Sequence, residues 1–245
     1  MFSKQIKLEL LKKMRFLNIF FILILSVSIF GQSTVSSNEL TKSEIDALFT
    51  SSLKDGLKIK YPIYQVREYN DKLGKHLIIL TEKKTACEKM QECFSSIQAF
   101  CFRVEDGSYI QEWAFRDFIL PNGNEVSEEF SISFWTKYLK LEDFDGDRII
   151  DPIITYGTFG LNGTDDGRVK ILTYYLGKKR AIRHQNGVLD SERNTQVDEQ
   201  FYNLPAGIQS RVKTIMENIT KNNHGIFPAG WKKAMQNKKL RFDEN

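Results

Sequence analysis

Tyr61–Lys84 reads YPIYQVREYNDKLGKHLIILTEKK. Two extended runs rich in β-branched and aromatic residues flank NDKLG, a turn-forming segment, so the stretch predicts a β-hairpin. The device repeats over Ser96–Ile119, SIQAFCFRVEDGSYIQEWAFRDFI, around EDGS. There Ile97, Ala99, Cys101 and Arg103 alternate with Gln98, Phe100, Phe102 and Val104, the period of a strand. Further on, PIITYGTF (152–159) and GRVKILTYYLG (167–177) predict two more strands bridged by GLNGTDDG, while FSISFWTKYL (130–139) fits strand or helix. Helical signals stand at the two ends. KSEIDALFTSSLKDG predicts a short helix with Ser43 as N-cap and Gly56 as its stop. AGIQSRVKTIMENITKN places Ile208, Val212, Ile215, Met216 and Ile219 at helical spacing. The expected fold is α+β: mainly antiparallel sheet with a short N-terminal helix and a C-terminal helix.

Residues 1–31 do not belong to that fold. A basic MFSKQIKLELLKKMR precedes the apolar FLNIFFILILSVSIF and a GQS ending, the build of a secretory signal peptide, with Met14 as an alternative start. The apolar run is shorter than the roughly 20 residues of a membrane span, so cleavage leaves no stable membrane segment and the protein is expected in the periplasm or at the cell surface. Residues 32–42 read as a flexible leader, 43–235 as a single β-rich domain and 236–245 as a basic, solvated tail.

The segment also carries the whole formal charge excess of +4. Removing Lys4, Lys7, Lys12, Lys13, Arg15 and Glu9 leaves 30 basic and 30 acidic residues. The sequence pI of about 8.8 therefore belongs to the targeting segment. Nucleic-acid binding needs clustered positive charge, and outside the tail nothing supplies it. Of three cysteines, Cys87 and Cys93 are the disulfide candidate, closing a small loop across EKMQE, with Cys101 left as a small hydrophobe in a strand.

The chemistry concentrates in DFDGDRIIDPIITYG, Asp143–Gly157. Asp143, Asp145, Asp147 and Asp151 stand at positions 1, 3, 5 and 9 of one short loop. Acids so close repel, so either the loop stays loose and solvated as a surface turn or a cation sits among them. With the Ile149 carbonyl they could offer oxygens to one hard ion, and Ca2+ tolerates such irregular geometry better than Mg2+. Gly146 permits a sharp bend, and Pro152 pushes Asp151 into extended backbone. The pattern resembles the calcium loops of FG-GAP and integrin-type propeller repeats. It departs from them at position 6, where Arg148 replaces glycine, and a left-handed conformation there would be strained. An EF-hand is disfavoured, because position 12 is Ile154, inside a predicted strand. With no internal repeat the chain cannot build a propeller. The expected cofactor is a structural Ca2+.

A second polar cluster, AIRHQNGVLDSER, gathers Arg183, His184, Asp190 and Arg193 as weak catalytic candidates. The plainer reading is a strand end, an Asn-Gly turn and a charged hairpin. No G-x-S-x-G, H-E-x-x-H or phosphate-loop motif is present. Trp113, Trp135 and Trp231 could stack sugars, although aromatics at alternating spacing more often fill a core.

Three stretches together, EDFDGDRIIDPIITYGTFGLNGTDDGRVKIL, KKRAIRHQNGVLDSERNTQVDEQFYNLP and NNHGIFPAGW, resemble a flavobacterial family of small exported proteins named for surface polysaccharide biosynthesis. The resemblance spans roughly residues 60–235 and implies a role in making or displaying lipopolysaccharide or a related glycan, with surface glycan or polysaccharide-assembly proteins as partners. It supplies no catalytic residues. A looser similarity, one acidic loop on an exported β-scaffold, is to calcium-binding periplasmic inhibitors of lysozyme. The leading expectation is a non-enzymatic factor. The alternatives are an inhibitor or binding module acting on a glycan-cleaving enzyme, and a glycan-modifying enzyme using Arg183–Arg193.

Overall fold

The computed structural model describes residues 37–87, 90–119 and 129–244, so the signal segment and positions 32–36 of the leader lie outside it. Two antiparallel sheets dominate the fold. The first runs β1 (Asn38–Glu39), β2 (Ile63–Asp71), β3 (Gly74–Thr85), β4 (Cys93–Glu105) and β5 (Ser108–Phe118), paired in chain order. The second contains β6 (Ser131–Phe134), β7 (Lys140–Glu142), β8 (Asp151–Phe159), β9 (Arg168–Tyr175), β10 (Lys178–Gln185), β11 (Asn194–Val197) and β12 (Arg241–Asp243). Its order is β12-β11-β10-β9-β8-β6, with β7 also on β8. Helices α1 (Lys42–Leu48), α2 (Ser51–Gly56), α3 (Ala206–Lys221) and α4 (Trp231–Gln236) complete the fold. It is α+β and mainly antiparallel, as the sequence predicts.

Three apolar layers explain the arrangement. Between the sheets pack Ile78, Leu80, Ile97, Ala99 and Cys101 from the first against Ile154, Tyr156, Leu172 and Tyr174 from the second. The other face of the first sheet, with Leu77, Ile79, Phe100 and Phe102, is covered by Phe49, Ile45, Leu48 and Leu53 of the N-terminal helical segment. The other face of the second, with Ile153, Val169, Ile171 and Ile182, is covered by Ile208, Val212, Ile215, Met216 and Ile219 of α3. The result is a helix–sheet–sheet–helix stack of four layers, and both middle layers are buried on both faces. That is why HLIIL in β3 and PIITYGT in β8 are continuous apolar runs rather than alternations.

Turns follow local chemistry. The hairpin β2–β3 pairs Asp71 with Gly74, leaving Lys72 and Leu73 as the tip. In β4–β5, Asp106 and Gly107 take φ of 46° and 78°, the left-handed pair that a two-residue hairpin with right-twisted strands requires. Leu176 and Gly177 do the same between β9 and β10, with φ of 48° and 70°.

Four expectations need correction. The first helix is broken in two: Thr41, not Ser43, caps α1 through a capping box with Glu44, and Thr50 caps α2, which does end at Gly56. A threonine at the break offers its hydroxyl to the Leu53 N–H, so restarting leaves no orphan donor there. The leader is not wholly flexible, since Asn38 and Glu39 pair with Glu68 and Arg67 of β2. FSISFWTKYL takes neither form throughout, becoming strand over 131–134 and a 3-10 turn over Thr136–Tyr138. The tail past residue 235 is no solvated extension. Arg241–Asp243 adds a strand to β11 and buries Phe242 in the α3 core.

Trp113 and Trp135 are core residues, and Trp231 packs at the edge of the same α3 core. Gly157 of DPIITYG lies against Trp135 so closely that an added Cβ would meet the indole ring at 2.3 Å. Gly157→Ala should therefore lower stability by about 1–3 kcal/mol through overpacking, read as a shift in the urea midpoint without change of slope.

Candidate metal centre

The acidic loop occupies Asp143–Ile150 and opens into β8, between β7 and the strand it pairs with. Its carboxylates organise the backbone first. Asp143 accepts N–H bonds from Gly146 and Arg148 at 2.7 and 2.8 Å, one on each oxygen. Asp145 accepts from Asp147 N–H at 3.1 Å, and Asp147 from Ile149 N–H at 2.7 Å. Asp151 reaches back to the Phe144 N–H at 3.0 Å. These side-chain-to-backbone bonds wind the segment into successive Asx turns. Gly146 at φ 86° and Arg148 at φ 69° both adopt the left-handed region. The expected conformation at position 6 is thus present, and a non-glycine residue bears its strain of roughly 1–2 kcal/mol.

Winding the loop this way brings one oxygen each of Asp143, Asp145 and Asp151 within 4.8 Å of one another, so the three could hold a metal ion. Asp147 falls outside this converging set, its carboxylate turned to the Ile149 amide. Asp151 is the buried member, 3 % exposed. Burial pushes its carboxyl up to about 7, and the charges of Asp145, Asp147 and Asp143 push the same way against the single stabilising bond from Phe144 N–H. A buried carboxylate facing two others is short of positive charge, and that deficit is what a bound cation would supply. The donor set is all oxygen, which suits a hard ion.

The loop is anchored on both sides. Arg211 of α3 lies over the Phe144 ring at 5.2 Å and bonds Glu142 at 3.0 Å. Opposite, Asp71 at the end of β2 accepts the Ile150 N–H at 3.1 Å, while Lys72 N–H donates to the Arg148 carbonyl at 2.9 Å. Asp71 is 1 % exposed at its side chain and also caps its own turn through Leu73 N–H at 2.8 Å. Sequence reading placed Asp71 in a turn, and only the fold shows it stitching the first sheet to the acidic loop.

Arg183, His184, Asp190 and Arg193 do not form a site. Arg183 and His184 are successive residues of β10, so their side chains leave opposite faces. Arg183 pairs with Asp198. His184 is buried between Thr195, at 3.0 Å from Nδ1, and Asn186, at 3.4 Å from Nε2, with the Phe227 ring 4.5 Å away. Burial holds its pKa down to about 4, so it is neutral at pH 7. Arg193 donates to the carbonyls of Gly187 and Val188 and to Asp190, which fixes the β10–β11 connection. The cluster is the charged hairpin that the plainer reading describes. Cys87 and Cys93 form a disulfide with Cα atoms 6.0 Å apart, and Cys101 is buried and free. Among the described residues no helix is long and apolar enough to cross a membrane.

Because the Asp151 carboxyl titrates higher in the fold than its unfolded value of 3.8, the native chain keeps that proton while the unfolded chain releases it. Stability is lost as pH rises through that interval. Glu82, buried and likewise pushed up to about 7, slopes the same way, so the test compares variants. In chelator, Asp151→Asn should gain melting temperature over wild type as pH goes from about 5 to about 8; an offset that is flat with pH would contradict the assignment. No protein-family model, curated protein or solved structure matches this chain, so its function is read from its own residues.

Proposed function

We propose that this protein is an exported, non-enzymatic factor of surface-polysaccharide or lipopolysaccharide assembly whose fold is clasped by one structural Ca2+. The observation that carries the calcium reading is the convergence of Asp143, Asp145 and Asp151 at the head of β8, with Asp151 buried and opposed by the charges of its acidic neighbours. Calcium accepts six to eight oxygens at variable angles, so water and a loop carbonyl such as that of Ile149 can complete the shell. Magnesium would demand a stricter octahedron. Export is supported by the disulfide and by the basic-then-apolar start of the chain. The glycan role is supported by the family resemblance of the segments around DPIITYGT. Arg183, His184, Asp190 and Arg193 are engaged by structural partners, so this reading assigns them no catalytic part.

As a clasp the ion ties three elements together: β7, which enters the loop, β8, which leaves it, and the β2–β3 tip, which Asp71 binds to it. At a concentration 100-fold above its dissociation constant an ion contributes about 2.7 kcal/mol. Saturating Ca2+ should therefore raise the melting temperature by about 5–10 °C over chelated protein. Asp145→Ala combined with Asp147→Ala should lower the melting temperature in calcium and abolish its dependence on the ion. An identical wild-type melt with and without chelator removes the clasp. The cellular role is tested separately: a deletion strain should show an altered lipopolysaccharide profile that wild type restores, and an unaltered profile rejects the glycan assignment.

A further inference from the structure

At the edge of the inter-sheet layer, beside the acidic loop, lies a cleft of about 250 Å³. Its inner wall holds His76, Glu112 and Trp113 of the first sheet and Tyr174 of the second, and its outer wall is Ile149, Ile150 and Pro152 of the loop. Four features define this cleft.

The first is a β-bulge. Cys101 pairs with Trp113 and Phe102 with Gln111, so Glu112 is an extra residue in β5. Strand alternation would send Glu112 and Trp113 to opposite faces. The bulge turns both toward the inter-sheet side, where Glu112 meets His76 Nε2 at 3.4 Å and Cys101 Sγ at 3.6 Å. The second is His76 itself, 1 % exposed between Glu112 and Asp71, whose oxygen lies 3.5 Å from Nδ1. Its Nδ1 also lies 3.0 Å from the Gly74 carbonyl oxygen and its ring stacks on Tyr69, so the imidazole is held in a fixed orientation at the cleft wall. The third is the Tyr174 hydroxyl, buried and without a hydrogen-bond partner, although its ring stacks on Trp113 at 3.8 Å between centroids. An orphaned hydroxyl in an otherwise satisfied layer implies a missing partner. The fourth is the rim. Leu73 and Leu176, at two hairpin tips, are 47 % and 62 % exposed, and Leu176 bears a left-handed φ of 48°. The turn accounts for that φ, and the two leucines give the mouth of the cleft an apolar rim.

The lining also fixes the ligand class. Glu112 and Asp71 are both engaged within the protein, Glu112 by His76 and by Arg103 at 3.4 Å and Asp71 by backbone N–H groups, so neither is a free charge that would select an ion. The cleft is smaller than the roughly 300 Å³ where drug-sized pockets begin. It combines aromatic and aliphatic walls with carboxylate acceptors and an unused hydroxyl. A neutral ring with an apolar face and hydroxyls at its edge meets every one of these conditions. We propose that the cleft binds a single uncharged sugar residue, a pyranose unit of a glycan. This rests on the glycan reading above and names its point of contact. One wall is the acidic loop, so ligand and loop geometry are coupled.

The full-length mature protein, calcium-loaded, is titrated by calorimetry with methyl glycosides of glucose, galactose, mannose and N-acetylglucosamine, and with cyclohexanol as a ring without the hydroxyl edge. At least one glycoside should bind, and cyclohexanol should not. Tyr174→Phe removes a hydroxyl that bonds nothing in the protein, so it should leave the melting temperature unchanged or higher while weakening the glycoside about fivefold, the loss of one neutral hydrogen bond. Glu112→Gln should weaken it at least as much. No glycoside binding, cyclohexanol binding as well as the glycosides, or equal affinity in Tyr174→Phe each overturns the proposal. An altered lipopolysaccharide profile in the deletion strain alongside any of these results would leave the glycan role standing and reject only the cleft.

Discussion

The apolar layer between the two sheets is the constraint from which the rest of the molecule follows. Ile78, Leu80, Ile97 and Ala99 face Ile154, Tyr156 and Leu172 across it, and all of them are buried. A sheet that commits one face to a partner sheet must still cover the other, because β3 and β8 carry apolar side chains on both. The N-terminal helices meet that need on one side and α3 on the other. Burial on this scale stabilises at roughly 25 cal/mol per Å², which far exceeds what any surface ion pair adds. Polar side chains that enter the layer must then be satisfied from within it. Tyr156 does so by donating to Asp117 at 3.0 Å, and Glu82 by accepting the Phe134 N–H at 3.0 Å.

The acidic loop lies where the layer ends, and its electrostatics derive from that position. At the surface, four acids in nine residues would be tolerable through hydration. Here Asp151 is drawn inward at the start of β8 while Asp143 and Asp145 stay near the solvent. Backbone amides neutralise part of the charge: Asp143 uses both oxygens on N–H groups, and Asp71 lends its own carboxylate to Ile150 N–H from the opposite sheet. The loop therefore joins two elements that no strand pairing connects. A cation there would act on the docking of the sheets as much as on the loop itself.

Much of this was legible in the residues. Both hairpins of the first sheet announce themselves through NDKLG and EDGS, because turns select residue types by backbone angle. The apolar spacing of Ile208 through Ile219 marks α3, and the spacing of Asp143, Asp145 and Asp151 marks the converging oxygens. The short edge strands were not legible. Asn38–Glu39 and Arg241–Asp243 are polar and too brief to alternate, and their pairing is set by the edge they meet rather than by their own sequence. The break at Phe49–Thr50 was hidden too, since Ile45, Leu48 and Leu53 keep helical spacing across it. The cleft is the clearest case of information absent from local pattern. It depends on a one-residue register shift at Glu112, on a hairpin tip reaching Ile150, and on Tyr174 arriving from the other sheet. None of these can be read without knowing which strands are neighbours.

The meander order of the strands has a kinetic meaning. In the first sheet every strand pairs with the one before it in sequence, and β8, β9, β10 and β11 follow the same rule in the second. Each sheet can thus zip from local turns, closing short loops whose entropic cost is small. The face-to-face meeting of the two halves, like the pairing of β12 with β11, demands contacts distant along the chain. A chain made from its N-terminus can assemble its first sheet while the second is still being synthesised, which leaves the joining of the halves as the slow step of folding.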